Sequence, residues 1–478
     1  MRTLRATKIL ATIGPASAAP EVLRSLADAG MDGARINLSH GCLEEWVACA
    51  QNIRALSQEI DRPITVLADL QGPKIRLAAD TDRREIGIGE EVIIVSGRET
   101  PEGSLAIAWD EVCQAAVPGQ SEIIVGDGTP RLSVVDRATY LGAPALVATC
   151  TRSGQVGPRK GAFVTHVSSS APALSEKDLD DLDHMREIDP DLVALSFVRG
   201  PADIDTLRRE LDARGLLNTR IVAKIEKAEA MSCLDEIVER ADAIMVARGD
   251  LGIELGIAAV PLAQKRIIRA AASAGKLVIT ATQMLESMHH SSEPTRAEAT
   301  DVANAILDGT SAVMLSGETA QGSFPVEAVL QMDAIARAAE AGGMFALEHD
   351  AAELDEAEAV MMAAALLGDK RRCSAFIVPT ETGGSARAIA RQRPAAPILA
   401  LCHHPRVARQ MALERGVVPR HFPALDQMDE MIEEAMAAAR TTLVLSDSDT
   451  VVLCYGPVVA RRGATNLIVI RRAGDAPA

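Results

Sequence analysis

Short apolar runs of β type alternate with segments of helical period along two stretches of the chain, and the interval between them follows a different rule. The first stretch holds Lys8–Ile13, which ends at Gly14-Pro15, then Ala34–Ile36, which ends in Asn37, then Ile64–Ala68, which ends in Asp69. The alternation resumes at Ala173. Ser175 with Lys177-Asp178 opens a helix, and the runs Leu192–Phe197, Arg220–Ile225, Ala243–Val246, Leu277–Thr280 and Ala312–Leu315 follow, with helical stretches between them. The two stretches together give eight strands alternating with helices. That pattern predicts an α/β protein built on a (β/α)8 TIM barrel.

From Gly72 to about Val167 the runs are Glu91–Val95, Ser104–Ala108, Ile123–Val125 and Ala145–Thr149, punctuated by Gly and Pro with no long helical pattern. This predicts an inserted all-β domain after the third barrel strand. From Gly342 the rhythm changes again. An alanine-rich helical stretch, Asp355–Leu367, precedes Ser374–Val378, Pro397–Leu401, Val451–Cys454 and Leu467–Ile470, which predicts a C-terminal doubly wound α/β domain. The expected division is residues 1–72 with 168–341 for the barrel, 73–167 for the insert and 342–478 for the last unit.

Composition narrows the class. The 478 residues are 48% hydrophobic but only 2% aromatic, so aliphatic side chains must fill the core. Basic residues number 49 against 66 acidic ones, a net charge of −17, which argues against a nucleic-acid surface. The eight cysteines are scattered, without a C-x-x-C pair or zinc-like spacing. They read as small buried hydrophobes in a reducing compartment. No leader-like apolar region follows Met1–Lys8, and no apolar run reaches the length of a membrane span. The expectation is a soluble, cytoplasmic protein without a membrane partner.

Polar residues cluster where the apolar runs end, the place where barrel enzymes carry their sites. Arg35 could fork onto a phosphate, with Asn37 and Ser39 offering oxygens to a cation. Asp69 ends the third run, and Lys74 and Arg76 lie beyond the Gly72-Pro73 turn. Lys224 and Glu226, two apart on a strand, share a face. With Asp250 on the next strand, two carboxylates could hold one Mg²⁺ while the lysine neutralises a transferring phosphoryl group. Gly249 allows backbone N–H groups to approach an anion, and Thr282 could relay a proton. Each signal has a plainer reading when taken alone: a polar strand end, a solvated hinge, a salt bridge, a core threonine. Other prominent residues read plainly too. His289-His290 are surface polar residues, His403-His404 mark a turn, and Met361-Met362 are core.

Taken in order, several motifs are far more specific. Ala11-Thr-Ile-Gly-Pro-Ala-Ser17, Arg35-Ile-Asn-Leu-Ser-His40, Lys224-Ile-Glu226, Met245-Val-Ala-Arg-Gly-Asp-Leu-Gly252, Ala281-Thr-Gln-Met-Leu-Glu-Ser-Met288, Pro294-Thr-Arg-Ala-Glu298 and Met314-Leu-Ser-Gly-Glu-Thr-Ala320 closely resemble the pyruvate kinase family. The resemblance covers almost the whole chain. It implies a barrel, a lid, a regulatory C-terminal domain and usually a homotetramer. The implied reaction is phosphoryl transfer from phosphoenolpyruvate to ADP, giving pyruvate and ATP.

By that resemblance, Glu226 and Asp250 bind Mg²⁺, with Mn²⁺ as an alternative, and Arg35 and Lys224 grip the phosphoryl group. Backbone N–H groups around Gly249 and Asp250, with Thr282, bind the substrate carboxylate, and Thr282 joins the proton path. Arg76 and Lys160 match nucleotide-phosphate contacts, Lys160 arriving from the lid, while Thr12, Pro15, Asn37 and His40 match positions on the nucleotide side. The family's K⁺ sits among groups matching Asn37, Ser39, Asp69 and the Leu70 carbonyl. Many members carry Glu where this chain has Lys74. The lysine, with Leu70, Gln71 and Leu77, resembles the K⁺-independent branch, so K⁺ is expected not to be required. In the last domain Thr380, Thr382, Gly383, Gly384 and Ser385 match the site of an effector phosphate. Arg461 and Arg462 could add charge there, or form an exposed basic loop. A sugar phosphate or AMP is the candidate effector. Two other readings remain: another phosphoenolpyruvate- or pyruvate-using Mg²⁺ barrel enzyme, and a catalytically dead metabolite-sensing homologue.

Overall fold

The computed structural model describes residues 4–126, 128–167, 172–343, 355–423, 425, 427–456 and 465–475. Eight parallel strands close a barrel: Lys8–Ile13, Gly33–Asn37, Thr65–Asp69, Leu192–Leu195, Arg220–Ile225, Ala243–Ala247, Leu277–Ala281 and Ala312–Leu315. Each pairs with its neighbour in this series, the first pairs with the last, and the third pairs with the fourth across the insertion. Both faces of the strands are buried, which is why they read as continuous apolar runs. Leu10, Leu67, Val222, Met245 and Ile279 fill the barrel interior, and a larger aliphatic shell packs the strands against the helices.

Local chemistry fixes where the helices start. Ser175 accepts the backbone N–H of Asp178 and caps Glu176–Asp183, and Thr295 does the same through Glu298 for Arg296–Asp308. Proline occupies the first turn of Pro20–Ala29, Pro201–Ala213 and Pro325–Ala341, where its missing N–H costs nothing.

The insertion is a six-stranded sheet in the spatial order Ala162–Val164, Glu122–Val125, Arg131–Tyr140, Ala143–Arg152, Glu91–Ser96, Ser104–Ile107. A two-stranded ribbon, Arg84–Ile86 with Gly154–Val156, lies beside it. The sheet carries its own core around Ile94, Ile123, Leu132 and Leu146. A one-turn helix, Val112–Ala115, qualifies the all-β expectation.

The last unit is a five-stranded sheet with the order Val417–His421, Ile398–Cys402, Ala375–Thr380, Thr450–Tyr455, Leu467–Arg472, the final pair antiparallel. Val417–His421 is absent from the sequence-based expectation. It contains Pro419 and two polar residues, and it survives as a strand because it lies on the sheet edge. This unit closes the barrel floor. Leu413 joins the barrel interior, and a Cβ on Gly33 would lie 2.9 Å from Leu413 Cδ2. Around it Lys8 Nζ donates to the Val417 carbonyl at 2.7 Å, Arg220 meets Glu414 at 3.0 Å and Arg409 meets the buried Asp191 at 2.8 Å.

All eight cysteines are free; five are buried, and Cys42 is exposed. Among the described residues no helix is long and apolar enough to cross a membrane.

Candidate active site

The carboxyl ends of the strands converge on one charged group. Lys224 Nζ lies 2.7 Å from Ser196 Oγ, 3.2 Å from Asp69 Oδ1 and 3.2 Å from Glu226 Oε1. Ser196 Oγ in turn donates to the Leu70 carbonyl at 2.7 Å. Arg35 Nε donates to the other Asp69 oxygen at 2.7 Å, and its Nη1 reaches Thr12 Oγ1 at 3.1 Å. Thr12 donates to the Leu315 carbonyl at 2.9 Å. Side chains at the ends of five successive strands therefore form one network around a buried carboxylate.

The electrostatics follow from this crowding. Burial alone would raise the Asp69 pKa, but Lys224 and Arg35 outweigh it and hold it below the usual carboxylate value. Burial works against the charge on Lys224, yet Asp69 and Glu226 prevail and its pKa lies above the ordinary value. Glu226 goes the other way. Burial raises its pKa, and the nearby Asp250 carboxylate adds to this against the pull of Lys224. Glu226 Oε2 also accepts the Phe197 N–H at 2.6 Å. Two carboxylates that repel each other across a buried space suit a divalent cation. Among the described residues no group of three or more acidic, His or Cys side chains forms a metal site. A hard ion that keeps water and substrate oxygens needs only two protein ligands.

Asp250 lies in the first turn of the helix Arg248–Leu255, whose leading N–H groups lack partners within the helix. A Cβ on Gly249 would sit 3.0 Å from Thr282 Cγ2, so the backbone approaches Thr282 closely only with glycine there. Thr282 and Gln283 have φ of +73° and +55°, a left-handed bend that a β-branched residue resists. Arg248 holds the bend. It donates to the Thr282 carbonyl at 2.6 Å, to the Ala281 carbonyl at 3.1 Å, and pairs with Asp301 at 2.6 Å. Gly249, Asp250 and Thr282 line a cleft of about 1330 Å³ between barrel and insert.

Other candidates are spread around this centre. Lys74 lines the same cleft but is exposed, and its ammonium makes no hydrogen bond or ion pair among the described residues. The structure does not join it to Asn37, Ser39, Asp69 and Leu70. Positive charge beside Asp69 comes instead from Arg35 and Lys224. Asn37 Oδ1 accepts the Ser39 N–H at 3.2 Å. Arg76 and Lys160 lie on adjoining backbone segments, Arg76 bridging Gly161 and the Leu77 N–H donating to the Lys160 carbonyl at 2.8 Å. The Lys160 ammonium donates to the Gln155 carbonyl, and Arg76 to the Arg159 carbonyl. Pro15 and His40 are exposed. In the last unit Gly383, with φ of +83°, precedes the helix Gly384–Arg391, and its N–H donates to Thr380 Oγ1 at 2.9 Å. Thr382 is exposed, and Ser385 Oγ lies 2.7 Å from Thr465 Oγ1. Arg461 and Arg462 lie outside the described residues.

Comparison with known proteins agrees with the geometry. The family model "Pyruvate kinase, barrel domain" matches residues 4–329, and "Pyruvate kinase, alpha/beta domain" matches residues 358–471. The chain belongs to the pyruvate kinase family. A pyruvate kinase of Mycobacterium tuberculosis is 38% identical over 473 residues, covering 98% of this chain and 99% of its own. Pyruvate kinases of Agrobacterium vitis and Bacillus licheniformis are 40% and 37% identical, covering 98% and 99% of this chain and 96% and 81% of theirs.

Within this pyruvate kinase fold, sequence reading left three participants without a role. Ser196 and Arg248 stand at strand ends with no chemistry of their own marked by the sequence; the distances above show Ser196 bracing Lys224 and Arg248 holding Thr282. Lys227, next to Glu226, stacks 4.2 Å from the ring centroid of Phe163 on the insert. No spacing rule links residues so far apart in the chain. Glu318, within the motif Met314–Ala320, is a buried brace that accepts the N–H groups of Leu285 and Ser316 at 3.0 and 2.7 Å.

Proposed function

We propose a division of roles for the reaction this enzyme shares with its family, phosphoryl transfer between phosphoenolpyruvate and ADP. The observation that carries it is the Lys224 ammonium, held between Asp69, Glu226 and Ser196 within 3.2 Å. A cation so fixed meets the charge of a phosphoryl group without reorganising. Arg35, anchored by Asp69 on the strand beside its own, takes the same group. The bond from phosphorus to the enol oxygen breaks, and one forms to the terminal oxygen of ADP. The N–H groups of Gly249 and Asp250, with the Thr282 hydroxyl, orient the substrate carboxylate. Thr282 stands on the path of the proton that reaches the methylene carbon of the enolate. Members of the family need a divalent metal. Glu226 and Asp250 would hold it, Mg²⁺ or Mn²⁺, and it would neutralise substrate and enolate oxygens.

On the nucleotide side we assign Arg76 and Lys160 to the phosphates, with Thr12, Pro15, Asn37 and His40 nearby. Closure of the insert, residues 73–167, over the barrel of 1–72 and 168–341 would exclude water that otherwise hydrolyses the phosphoryl donor. Lys74, a free ammonium at the cleft that stands apart from Asp69, is the residue on which turnover without K⁺ is proposed. The loop Thr380–Ser385 within 342–478 is read as the seat of an effector phosphate, and the assembly as a cytoplasmic homotetramer.

The deciding experiment measures pyruvate release from phosphoenolpyruvate, ADP and Mg²⁺ in Na⁺- and K⁺-free buffer, then with K⁺ added. Equal turnover in both is expected. Turnover only with K⁺ would discard the role given to Lys74 while keeping the kinase. No turnover in either buffer, with sugar phosphates or AMP also tried, would favour a dead homologue. Light scattering of the purified protein tests the tetramer.

A further inference from the structure

The cleft between barrel and insert is charged against the sign of the whole chain. The protein has a net charge of −17, yet among the described residues seven basic and four acidic side chains line this cleft. The basic residues on the barrel side have carboxylate partners. Arg199 pairs with Asp203 at 2.9 Å, Lys227 with Glu254 at 3.6 Å and Arg248 with Asp301 at 2.6 Å, and Lys265 pairs with Asp308. The insert side is different. Arg152 is exposed, and its guanidinium forms no hydrogen bond or ion pair among the described residues. The Arg131 guanidinium reaches only Glu122, at 3.5 Å, and its Nε is buried without a hydrogen-bond partner.

Sheet register sets these two arginines against each other. Arg131 begins the strand Arg131–Tyr140, Arg152 ends the strand Ala143–Arg152, and the two are direct cross-strand partners. The next pair is Leu132 with Cys150, so Thr151 is an extra residue and the ladder bulges there. Without the bulge, the two-residue period of a strand would put Arg152 on the face of the buried Cys150. With it, Arg152 turns to the other face and stands beside Arg131 at the cleft. Like charges directly opposite each other weaken a sheet. A bulge that brings two of them together costs stability, and an oxyanion shared between them removes that cost.

The same end of the sheet carries Lys160. The Gly126 N–H donates to the Gly161 carbonyl at 2.8 Å, and Ile124 on that strand is paired with Arg131. Strand spacing therefore places Arg131 about 10 Å and Arg152 about 15 Å across the sheet from Gly161. We propose that Arg131 and Arg152 together clamp the phosphates of the nucleoside diphosphate substrate, extending the row of charge that Lys160 begins. The proposal rests on the reading of Lys160 as a nucleotide-phosphate contact and adds two residues that lie in none of the family motifs.

The test is steady-state kinetics of Arg152→Gln and Arg131→Gln. Each should raise KM for ADP by about tenfold and leave KM for phosphoenolpyruvate within about twofold. Arg152→Gln should leave Tm unchanged or higher, because one of two repelling charges is gone. A lower Tm with unchanged KM for ADP would make the pair structural and overturn the clamp. A rise in KM for phosphoenolpyruvate alone would also overturn it. In the wild-type protein ADP with Mg²⁺ should protect Arg152 from phenylglyoxal, read by peptide mass spectrometry, which needs no variant to fold. Equal modification with and without ADP would count against the clamp in the same way. Lys160→Met separates the two readings. A raised KM for ADP in Lys160→Met, with none in either arginine variant, removes the clamp alone. No rise in any of the three removes the insert's whole role toward the nucleotide.

Discussion

At the carboxyl ends of the barrel strands, Lys224 is shared between Asp69 and Glu226, Asp250 pushes on Glu226, and Thr282 is held in a left-handed bend. At the amino ends of the same strands Asp191, with no exposure, is closed by Arg54 and Arg409 at 3.0 and 2.8 Å, and Glu414 meets Arg220 at 3.0 Å. The second strand shows both regimes in three residues: Gly33 lies under Leu413, and Arg35 points to Asp69. Charges at the floor are matched by protein partners. Charges at the mouth are held in an arrangement that a metal and a phosphorylated substrate would complete. On the proposed roles, stability is concentrated at one end of the barrel and chemistry at the other.

Removing the charge at the mouth should give the largest effect. Lys224→Met should lower kcat by about 10²–10³-fold or more, because a preorganised cation at the transferring group is lost. Steady-state kinetics with circular dichroism as a fold check measure this, and retention of most of kcat would remove Lys224 from the mechanism. Leu413→Ala at the floor should do the reverse. It should cost about 2–5 kcal/mol of stability by leaving a cavity, seen as a lower Tm, with kcat at saturating substrate close to wild type at 25 °C. If kcat collapses while Tm holds, the floor is not merely structural and the contrast fails. The smallest expected effect is at the hinge between barrel and insert. The Lys227–Phe163 contact is worth about 0.5–2 kcal/mol, so Phe163→Leu should raise KM for ADP by about two- to tenfold while sparing Tm. An unchanged KM would mean that the contact does not bias the insert toward the barrel.

Much of this architecture is legible along the chain because it is locally encoded. Ser175, Thr295 and Asp355 announce helix starts through their own side chains. The barrel strands announce themselves as apolar runs because both faces are buried. Val417–His421 does not, since an edge strand tolerates Pro419 and polar residues that a central strand would reject. The site was legible as a set of residue types at strand ends. Its wiring was not: Ser196 and Arg248 look like ordinary polar residues until the strands are brought side by side.

The sequence by itself determined the succession of elements, the insertion after the third barrel strand, the family motifs and the residues available for chemistry. Helix caps, apolar periodicity and turn residues act over a few positions, so they can be read without a fold. Only the tertiary structure decided which charges meet. It set Lys224 between Asp69 and Glu226, and exposed Lys74 while Arg35 and Lys224 took the place beside Asp69. Electrostatic energy depends on distance in space and on burial, and neither is a property of position along the chain.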